Sequence, residues 1–256
     1  KVVDTDSPEK FAEYGRGILH LSILVETMRR EGYEIQLGQP KVVTKEIDGV
    51  NHEPVELLHV DVSEQYSGKV IGLVSKYKGD MIDIIVKDDR AHLDFRISSR
   101  GLIGLSNKIL AITAGEAVIS HRFHGFEQWK GSIAPKRNGA LIASETGVAS
   151  AYSISKMQDR GRFFIDPTED IYVGQVIGEH TKTNDLSINI AKTKKLSNMR
   201  SSGADEKLSI APATKFSLEE AMEYVNEEEY VEVTPKSIRL RKILLTEIER
   251  KHHKRQ

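Results

Sequence analysis

The chain has 256 residues, and its 37 Lys and Arg residues nearly balance its 38 Asp and Glu residues. This balance excludes a protein that coats nucleic acid over its whole surface, so any nucleic-acid contact is expected to be a local patch. The absence of cysteine excludes disulfides and thiolate metal sites, and no apolar run approaches the length of a membrane span. A cytoplasmic protein without membrane contact is the expectation.

Residues 1–47 predict one helix accompanied by a few short strands. The helix carries its apolar positions on one face and is followed by Gly32 as a C-terminal cap. These positions are Ile18, Leu21, Val25 and Met28. Strand-like segments lie at residues 11–14 and 33–37. One helix and a few strands make a thin domain, and the sequence opens without an initiator Met, so we expect that an upstream segment is missing from it.

Residues 54–124 predict the element order β-α-β-β-α-β. The strands are expected at residues 58–62, 81–86, 91–97 and 117–123. The helices are expected from a cap at Ser67 to Gly79, and from Leu102 to Gly115. This order is the split βαβ, or ferredoxin-like, arrangement, which carries no function by itself.

The last third of the sequence predicts short strands and at least one helix. A turn-rich segment at residues 131–139 is interpreted as a linker. After it, short β-like runs separated by Gly, Pro, Asn or Asp predict a small barrel or sandwich. Residues 151–160 are ambiguous between strand and helix. One helix is clear, since Ser217 and Glu220 form a capping box at its start.

Charge is segregated near the end of the chain. Residues 219–232 hold acids and no base, whereas residues 239–256 are rich in Lys and Arg. A predicted hairpin brings the two stretches together, so that Glu232 can pair with Arg239 or Arg241 and the charges cancel.

A basic segment lies between Asp185 and Asp205, where the sequence contains no carboxylate. Its basic and polar side chains include Lys192, Lys194, Lys195, Ser197, Asn198 and Arg200. Such a segment can approach a phosphate backbone without self-repulsion and can hydrogen-bond sugar and phosphate. The same composition is typical of a solvated loop, and both interpretations stay open on pattern alone. The basic tail at residues 250–256 is interpreted as a solvated end.

Templates for catalysis and metal binding are missing from the sequence. It contains neither a Gly-rich phosphate-binding motif followed by Lys and Ser or Thr, nor a Gly-x-Ser-x-Gly nucleophile elbow. His121 and His124 would suit a metal on a helix, but on the predicted strand they point to opposite faces. No catalytic residue, cofactor site or metal site is therefore predicted. Two other classes stay open: an interaction module that uses the acidic helix at residues 217–226, and an enzyme whose carboxylates only the fold brings together.

Four segments resemble one family, the translational GTPases of the elongation factor G class. Residues 15–33, which begin Gly15-Arg-Gly-Ile-Leu-His20, resemble the third domain of that class. Similarity to its BipA/TypA branch is carried by Ser99-Arg-Gly-Leu-Ile-Gly104, Leu196-Ser-Asn-Met-Arg-Ser-Ser-Gly203 and Val231-Glu-Val-Thr-Pro-Lys-Ser-Ile-Arg-Leu-Arg241. The last two segments lie in a C-terminal domain peculiar to that branch. The resemblance covers essentially the whole chain.

The resemblance implies an α+β protein of three parts. Residues 1–47 would be the latter part of domain III, residues 48–135 domain V, and residues 136–256 the BipA/TypA-specific domain. The first two parts would be ferredoxin-like modules, the first of them incomplete. The third would be a small β-rich, barrel-like domain with one or two helices. GTP and Mg would be bound by a domain upstream, so no cofactor is expected in this chain.

The resemblance also implies a function on the ribosome. Members of the family bind where elongation factors bind, hydrolyse GTP there, and are linked to ribosome assembly and to adaptation to stress such as cold. The segment from Lys192 to Arg200 would be a long loop that reaches 23S rRNA and the acceptor end of A-site tRNA, which favours the RNA-binding interpretation. Relatives often carry Arg where this chain has Lys182-Thr183 and Ser106-Asn107. A monomer with the ribosome as its partner is expected.

Overall fold

The computed structural model describes residues 1–133, 138–193 and 209–253. The chain divides into two compact units, one formed by residues 1–39 with 137–256 and the other by residues 40–136. Each unit contains helices and strands, which confirms the expected α+β class. The division into parts at residues 47 and 135 stays a prediction.

Helices and strands alternate irregularly along the described residues. The helices are α1 (Ile18–Arg30), α2 (Glu64–Lys76), α3 (Ser99–Leu102), α4 (Leu105–Ile112), α5 (Ala151–Met157), α6 (Leu218–Tyr224) and α7 (Glu247–His253), and a 3₁₀ turn spans Gln158–Arg160. The first strands are β1 (Val2–Asp4), β2 (Phe11–Glu13), β3 (Ile35–Leu37), β4 (Lys45–Ile47), β5 (Val50–Ser63), β6 (Asp80–Lys87), β7 (Arg90–Ser98) and β8 (Val118–Gln128). The later strands are β9 (Ala140–Ala143), β10 (Gly147–Val148), β11 (Gly161–Phe163), β12 (Asp170–Ile171), β13 (Gln175–His180), β14 (Leu186–Ile188), β15 (Glu229–Val233) and β16 (Ile238–Lys242).

The unit of residues 40–136 is an antiparallel sheet with helices on one face. Its strands lie in the order β8-β5-β7-β6, and β4 pairs with the start of β5. Apolar residues alternate with polar ones along β5 and β7, so one face of the sheet packs against α2 and α4. The buried side chains include Leu58, Val60, Val70, Phe95 and Ile109. Burying each such side chain contributes about 1.5–3 kcal/mol before the entropic cost of ordering.

Helix α2 begins earlier than the sequence indicates. Its N-cap is Ser63, and the expected cap, Ser67, lies inside the helix, where its hydroxyl donates to the carbonyl of Glu64 at 2.7 Å. A serine hydroxyl can bond an i−3 carbonyl within a helix as readily as it caps one, so the residue type alone does not fix the boundary.

The segment Ser99–Gly104, which carries part of the family resemblance, has a structural role here. The guanidinium of Arg100 binds the buried carboxylate of Glu53 and lies 3.6 Å from the ring centroid of Trp129. A Cβ on Gly101 would lie 3.0 Å from the carbonyl oxygen of Tyr77, and Gly104 has a φ of 69°. Glycine is therefore favoured at both positions, by close approach at the first and by a left-handed backbone at the second.

The other unit is built on a sheet with the strand order β14-β9-β13-β16-β15-β3, and β11 pairs with β13. Helices α1 and α6 pack on one face, through a cluster that includes Val25 and Met222, and α5 packs on the other through Ile154. Strand β9 is buried along its whole length because alternate residues face these two clusters.

The expected barrel is not formed, since no sheet closes within the parts of the chain that the structure describes. A barrel requires the two end strands of a sheet to pair with each other. One end of this sheet is β14, and the other is β3, whose Ile35 and Leu37 pair with Val233 and Val231 of β15. An N-terminal strand thus extends the C-terminal sheet, a pairing that local sequence patterns do not reveal.

Two local expectations in this unit are settled by the structure. The ambiguous residues 151–160 form α5 and the 3₁₀ turn. The capping box of α6 is confirmed, because the Ser217 hydroxyl accepts from the Glu220 amide at 3.2 Å while the Glu220 carboxylate accepts from the Ser217 amide at 2.8 Å.

Candidate nucleic-acid interface

The first described end of the basic segment is at Lys192 and Thr193. Lys192 is exposed, and its carbonyl oxygen accepts hydrogen bonds from the hydroxyls of Ser150 and Ser153, each at 2.6 Å. The other predicted RNA-binding residues lie outside the described residues: Lys194, Lys195, Ser197, Asn198 and Arg200. From its Ser, Asn and Gly content and its lack of apolar periodicity, we also predict that the segment 192–203 is mobile in the free protein; most of it lies outside the described residues.

The second described end of this part of the chain begins at Ser209, where Gln158 binds it. The side-chain amide of Gln158 donates to the carbonyl of Ser209 at 3.0 Å, and its oxygen accepts from the amide of Ala211 at 3.3 Å. The amide of Thr214 then donates to the carbonyl of Phe163 at 2.9 Å. Both described ends of the segment are therefore held by α5 and the turn that follows it.

Helix α5 is itself fixed by a cap and by an apolar anchor. Its N-cap Ser150 accepts from the amide of Ser153 at 3.1 Å, and the amide of Ser150 donates to the carbonyl of Ile190 at 3.0 Å. On its apolar side Ile154 is buried in the cluster of the central sheet. A hydrogen bond of this kind contributes about 0.5–1.5 kcal/mol. The described segment ends are held by four of them, two from the Ser150 and Ser153 hydroxyls to Lys192 and two from the Gln158 side chain to Ser209 and Ala211.

Sequence patterns missed these positioning residues, because Ser150, Ser153 and Gln158 fall in or beside the segment that was ambiguous between strand and helix. The spacing of Ser150 and Ser153 matches an N-cap and the third helical residue, the one signal that could have indicated a helix start there. No sequence signal indicates that the same hydroxyls also bind the carbonyl of Lys192.

Exposed cations accompany the ends of the segment. Arg160 and Lys182 are both exposed, and the amide of Thr181 donates to the carbonyl of Arg160 at 2.8 Å, so they lie at the same end of the β11–β13 pair. Lys156 on α5 is also exposed, with its ammonium 5.2 Å from the ring centroid of Tyr152. These side chains add positive charge to the unit that holds both described ends of the basic segment.

In the acidic stretch, several carboxylates are bound by other groups of the same chain. Glu219 of α6 accepts a hydrogen bond from the hydroxyl of Ser22 on α1 at 2.7 Å, and this bond lowers the pKa of Glu219. Glu220 is used in the capping box, and the buried Lys242 ammonium lies 2.9 Å from the Glu229 carboxylate and 2.8 Å from that of Asp185. Burial alone would lower the pKa of Lys242, but these carboxylates raise it overall.

The predicted pairing of Glu232 with Arg239 or Arg241 is wrong. Glu232 lies opposite Arg239 in the hairpin, yet among the described residues its carboxylate binds the phenol of Tyr172. Burial and this carboxylate raise the pKa of Tyr172. Charge cancellation across the hairpin is instead carried by Lys242 with Glu229.

The basic tail begins as an ordered helix. Arg250 of α7 donates to the carbonyls of Leu244 and Leu245 at 2.9 and 2.6 Å and to the hydroxyl of Ser187 at 3.2 Å. Its guanidinium therefore has a structural role, which corrects the interpretation of this residue as part of a solvated end.

The histidines considered as metal ligands are placed apart. His121 binds the carboxylate of Glu56, a hydrogen bond that raises the pKa of His121, and His124 is exposed further along β8. Two His–Asp pairs lie on the same sheet of residues 40–136: His59 with Asp94 and His92 with Asp61, each 2.6 Å apart. Across residues 1–133, 138–193 and 209–253, no group of three or more such side chains is arranged to hold a metal ion.

No helix within the described part of the chain is long and apolar enough to cross a membrane.

Comparison with known proteins identifies two matching domains. Residues 138–247 match the model of the TypA/BipA C-terminal domain, and residues 50–137 match that of the elongation factor G C-terminus. Three similar proteins carry the name large ribosomal subunit assembly factor BipA. That of Bacillus subtilis is 44% identical over 252 residues (98% of this chain, 41% of the relative), that of Haemophilus influenzae 43% over 257 residues (100% and 42%), and that of Synechocystis 43% over 244 residues (95% and 41%). The chain thus spans about two fifths of the length of the curated relatives it matches.

Proposed function

The chain belongs to the TypA/BipA family of translational GTPases, and we propose that it is the ribosome-binding part of a factor for assembly of the large ribosomal subunit. Relatives over the whole chain carry that function in their names. The GTP chemistry is assigned to a different part of the protein, because the sequence has no phosphate-binding loop motif.

The RNA-binding element in this proposal is the segment from Lys192 to Gly203. Lys192, Lys194, Lys195 and Arg200 neutralise phosphates, while Ser197 and Asn198 hydrogen-bond the RNA backbone or a base edge. Its targets are 23S rRNA and the acceptor end of A-site tRNA, as the family resemblance implies. The observation that carries the proposal is the attachment of both described segment ends, at Lys192 and Ser209, to the short helix α5 and the turn that follows it.

This attachment matters for binding energy. A segment whose ends are fixed loses less conformational freedom on binding than one that is free at its base, so more of the phosphate attraction is retained as affinity. The remaining domains would then act as a frame that positions the segment and favours one conformation of the ribosome, in the cytoplasm and as a monomer. A role in adaptation to stress would follow from assembly of the large subunit under those conditions.

The alternative of an interaction module built on the acidic helix has less support. The carboxylates of Glu219 and Glu220 bind groups of this chain, and Leu218, Ala221 and Met222 of the same helix are buried. Little of α6 is left to present to a basic partner.

The test is cosedimentation of the chain with purified large ribosomal subunits. Replacing Lys192, Lys194, Lys195 and Arg200 by Ala is expected to weaken binding clearly. The matched control replaces four exposed lysines that form no side-chain hydrogen bond or ion pair among the described residues: Lys10, Lys76, Lys87 and Lys236. Equal losses in both quadruple variants would show that diffuse charge holds the protein, and the proposal would be wrong.

A further inference from the structure

A cleft of about 600 Å³ lies beside the returning end of the basic segment, within the unit that contains α5. Its apolar walls come from Ile154, Phe163, Ala211 and Pro212. Ile154 and Phe163 are buried in the cluster behind the cleft, whereas Ala211 and Pro212 are exposed at its edge. A pocket of this size with mainly apolar walls can hold a small ring system.

His180 supplies a buried hydrogen-bond acceptor to this cleft. Its residue surface is only 3% exposed, and its Nδ1 lies 2.6 Å from the carbonyl oxygen of Asn184. A carbonyl can only accept, so Nδ1 carries the proton, and the Nε2 of the neutral ring is left as an acceptor. No described group donates to Nε2, and His180 lines the cleft. An acceptor on a cleft wall that no described group of the protein uses favours a ligand that brings a donor.

Other polar groups of the cleft are also available. The side chains of Asn138, Thr181 and Thr214 line it and form no hydrogen bond with another described residue. Hydroxyl and amide groups can both donate and accept hydrogen bonds. Together with the acceptor of His180, they can bind the edge of a ligand on which donors and acceptors alternate.

The charges at the cleft cancel each other. Arg162 lies opposite Glu179 in the β11–β13 pair, and its Nη2 is 2.6 Å from the carboxylate of Glu179. A free phosphate or another small anion would meet this carboxylate as well as the guanidinium. The cleft is therefore better suited to a neutral, flat ring with a polar edge than to an anion.

We propose that this cleft binds a nucleobase from an unpaired RNA strand. The inference rests on the proposed RNA-binding function and names a second contact for the same RNA. Proteins recognise single-stranded RNA by accepting splayed-out bases between side chains and by hydrogen-bonding their edges. Ala211 and Pro212 of the cleft wall follow Gly203, the last residue of the basic segment, by eight and nine positions in the sequence. A strand whose phosphates bind that segment would therefore have its bases within reach of the cleft.

Two variants test the cleft without removing a positive charge. His180→Asn keeps a side-chain N–H that can bind the Asn184 carbonyl but removes the Nε2 acceptor. Ala211→Trp fills the cleft from its exposed edge and leaves His180 in place. Gln39→Trp, at an exposed position of the same unit outside the cleft, controls for adding a large aromatic residue.

The measurement compares three probes on the 256-residue chain. They are a single-stranded RNA 12-mer of mixed sequence, the same strand with abasic riboses, and a mixture of the four nucleoside monophosphates. The base-bearing strand is expected to move the Nε2 nitrogen resonance of His180 and to bind Ala211→Trp about tenfold more weakly, the usual effect of losing one base contact. The abasic strand is expected to leave that resonance unmoved and to bind all variants alike.

Three outcomes would overturn the inference. If the base-bearing strand binds both cleft variants as tightly as it binds the unchanged chain, while the loop quadruple variant binds weakly, the cleft is wrong and the proposed function stands. If the nucleoside monophosphates move the His180 resonance and the RNA strand does not, the ligand is a free nucleotide. If neither RNA strand binds the unchanged chain, the proposed function fails together with the cleft.

Discussion

The basic segment and the acidic stretch are both runs of like charge in the sequence, but the structure uses their side chains differently. The acids near α6 and β15 bind groups of the same chain: Ser22, the amide of Ser217 and the buried Lys242. At the described ends of the basic segment, the hydrogen bonds reach the backbone carbonyls of Lys192 and Ser209, and the Lys192 side chain is exposed. A charge run is thus available to a partner only where the fold does not already use it.

The largest effect is expected on the stability of the chain, when the buried cation that binds the acidic stretch is removed. Lys242→Met would leave the buried carboxylate of Glu229 without its cation, and removing one member of a buried ion pair destabilises by about 3–5 kcal/mol. Urea unfolding at neutral pH measures the loss. Glu228→Gln is the control, since its exposed carboxylate lies 3.9 Å from the same ammonium and is expected to contribute little. If Lys242→Met unfolded like the unchanged chain, the acids would be free for a partner after all.

On the basic side, the salt dependence of ribosome binding should change by an amount set by four contacts. With roughly −0.7 per phosphate contact to an irregular strand, the four cations contribute about −2.8 to the slope of log K against log salt. The quadruple Ala variant should lose that part of the slope, measured by cosedimentation between 50 and 200 mM salt.

The control quadruple at Lys10, Lys76, Lys87 and Lys236 removes the same formal charge. It is better matched than the basic tail, because Arg250 holds the carbonyls of Leu244 and Leu245 and its loss would also affect stability. A slope that falls equally in both variants would contradict a localised contact.

A smaller effect should come from releasing the returning end of the segment. Gln158→Ala removes the bonds to Ser209 and Ala211, and RNA affinity is expected to fall about threefold to tenfold, because the looser segment pays more entropy on binding. Gln158→Glu keeps an acceptor for Ala211 but loses the donor to Ser209 and adds a negative charge beside the segment, so it should bind RNA no more tightly than Gln158→Ala. Gln65→Ala, at an exposed position of α2, should change nothing. If Gln158→Ala bound RNA as tightly as the unchanged chain, the anchoring of Ser209 and Ala211 would not contribute to RNA affinity.

Part of this architecture could be predicted from the sequence. Amphipathic spacing located α1, and the capping box located the start of α6, because in both cases the pattern and the contacts that stabilise it lie within a few residues. The start of α2 was wrong, because Ser63 and Ser67 are equally good caps by residue type.

What could not be predicted depends on contacts between distant residues. The pairing of β3 with β15 joins Leu37 to Val231, and it decides that the sheet stays open. The anchoring of Lys192 by Ser150 and the acceptor of His180 in its cleft likewise need the fold, since no local pattern encodes them. The charges of the basic segment can be read from the sequence, whereas the hydrogen bonds that hold its described ends cannot.

The smallest expected effect is on stability, and it tests whether the ionised carboxylate of Glu219 on α6 stabilises the chain through its hydrogen bond with Ser22. The Ser22 hydroxyl lowers the pKa of Glu219 below its ordinary value of 4.5, so the bond contributes stability above that value and loses it as the pH falls through the lowered pKa. Ser22→Ala should therefore destabilise the chain at pH 7, by less than about 1 kcal/mol because solvent screens this carboxylate, and the difference from the unchanged chain should shrink towards pH 3. Urea unfolding at the two pH values measures it. Ser67→Ala removes a hydroxyl that binds only the carbonyl of Glu64, so its effect should be the same at both. If the destabilisation by Ser22→Ala were as independent of pH as that by Ser67→Ala, the bond to Ser22 would not depend on the charge of Glu219. The acidic helix would then be supported again as a binding surface for a basic partner.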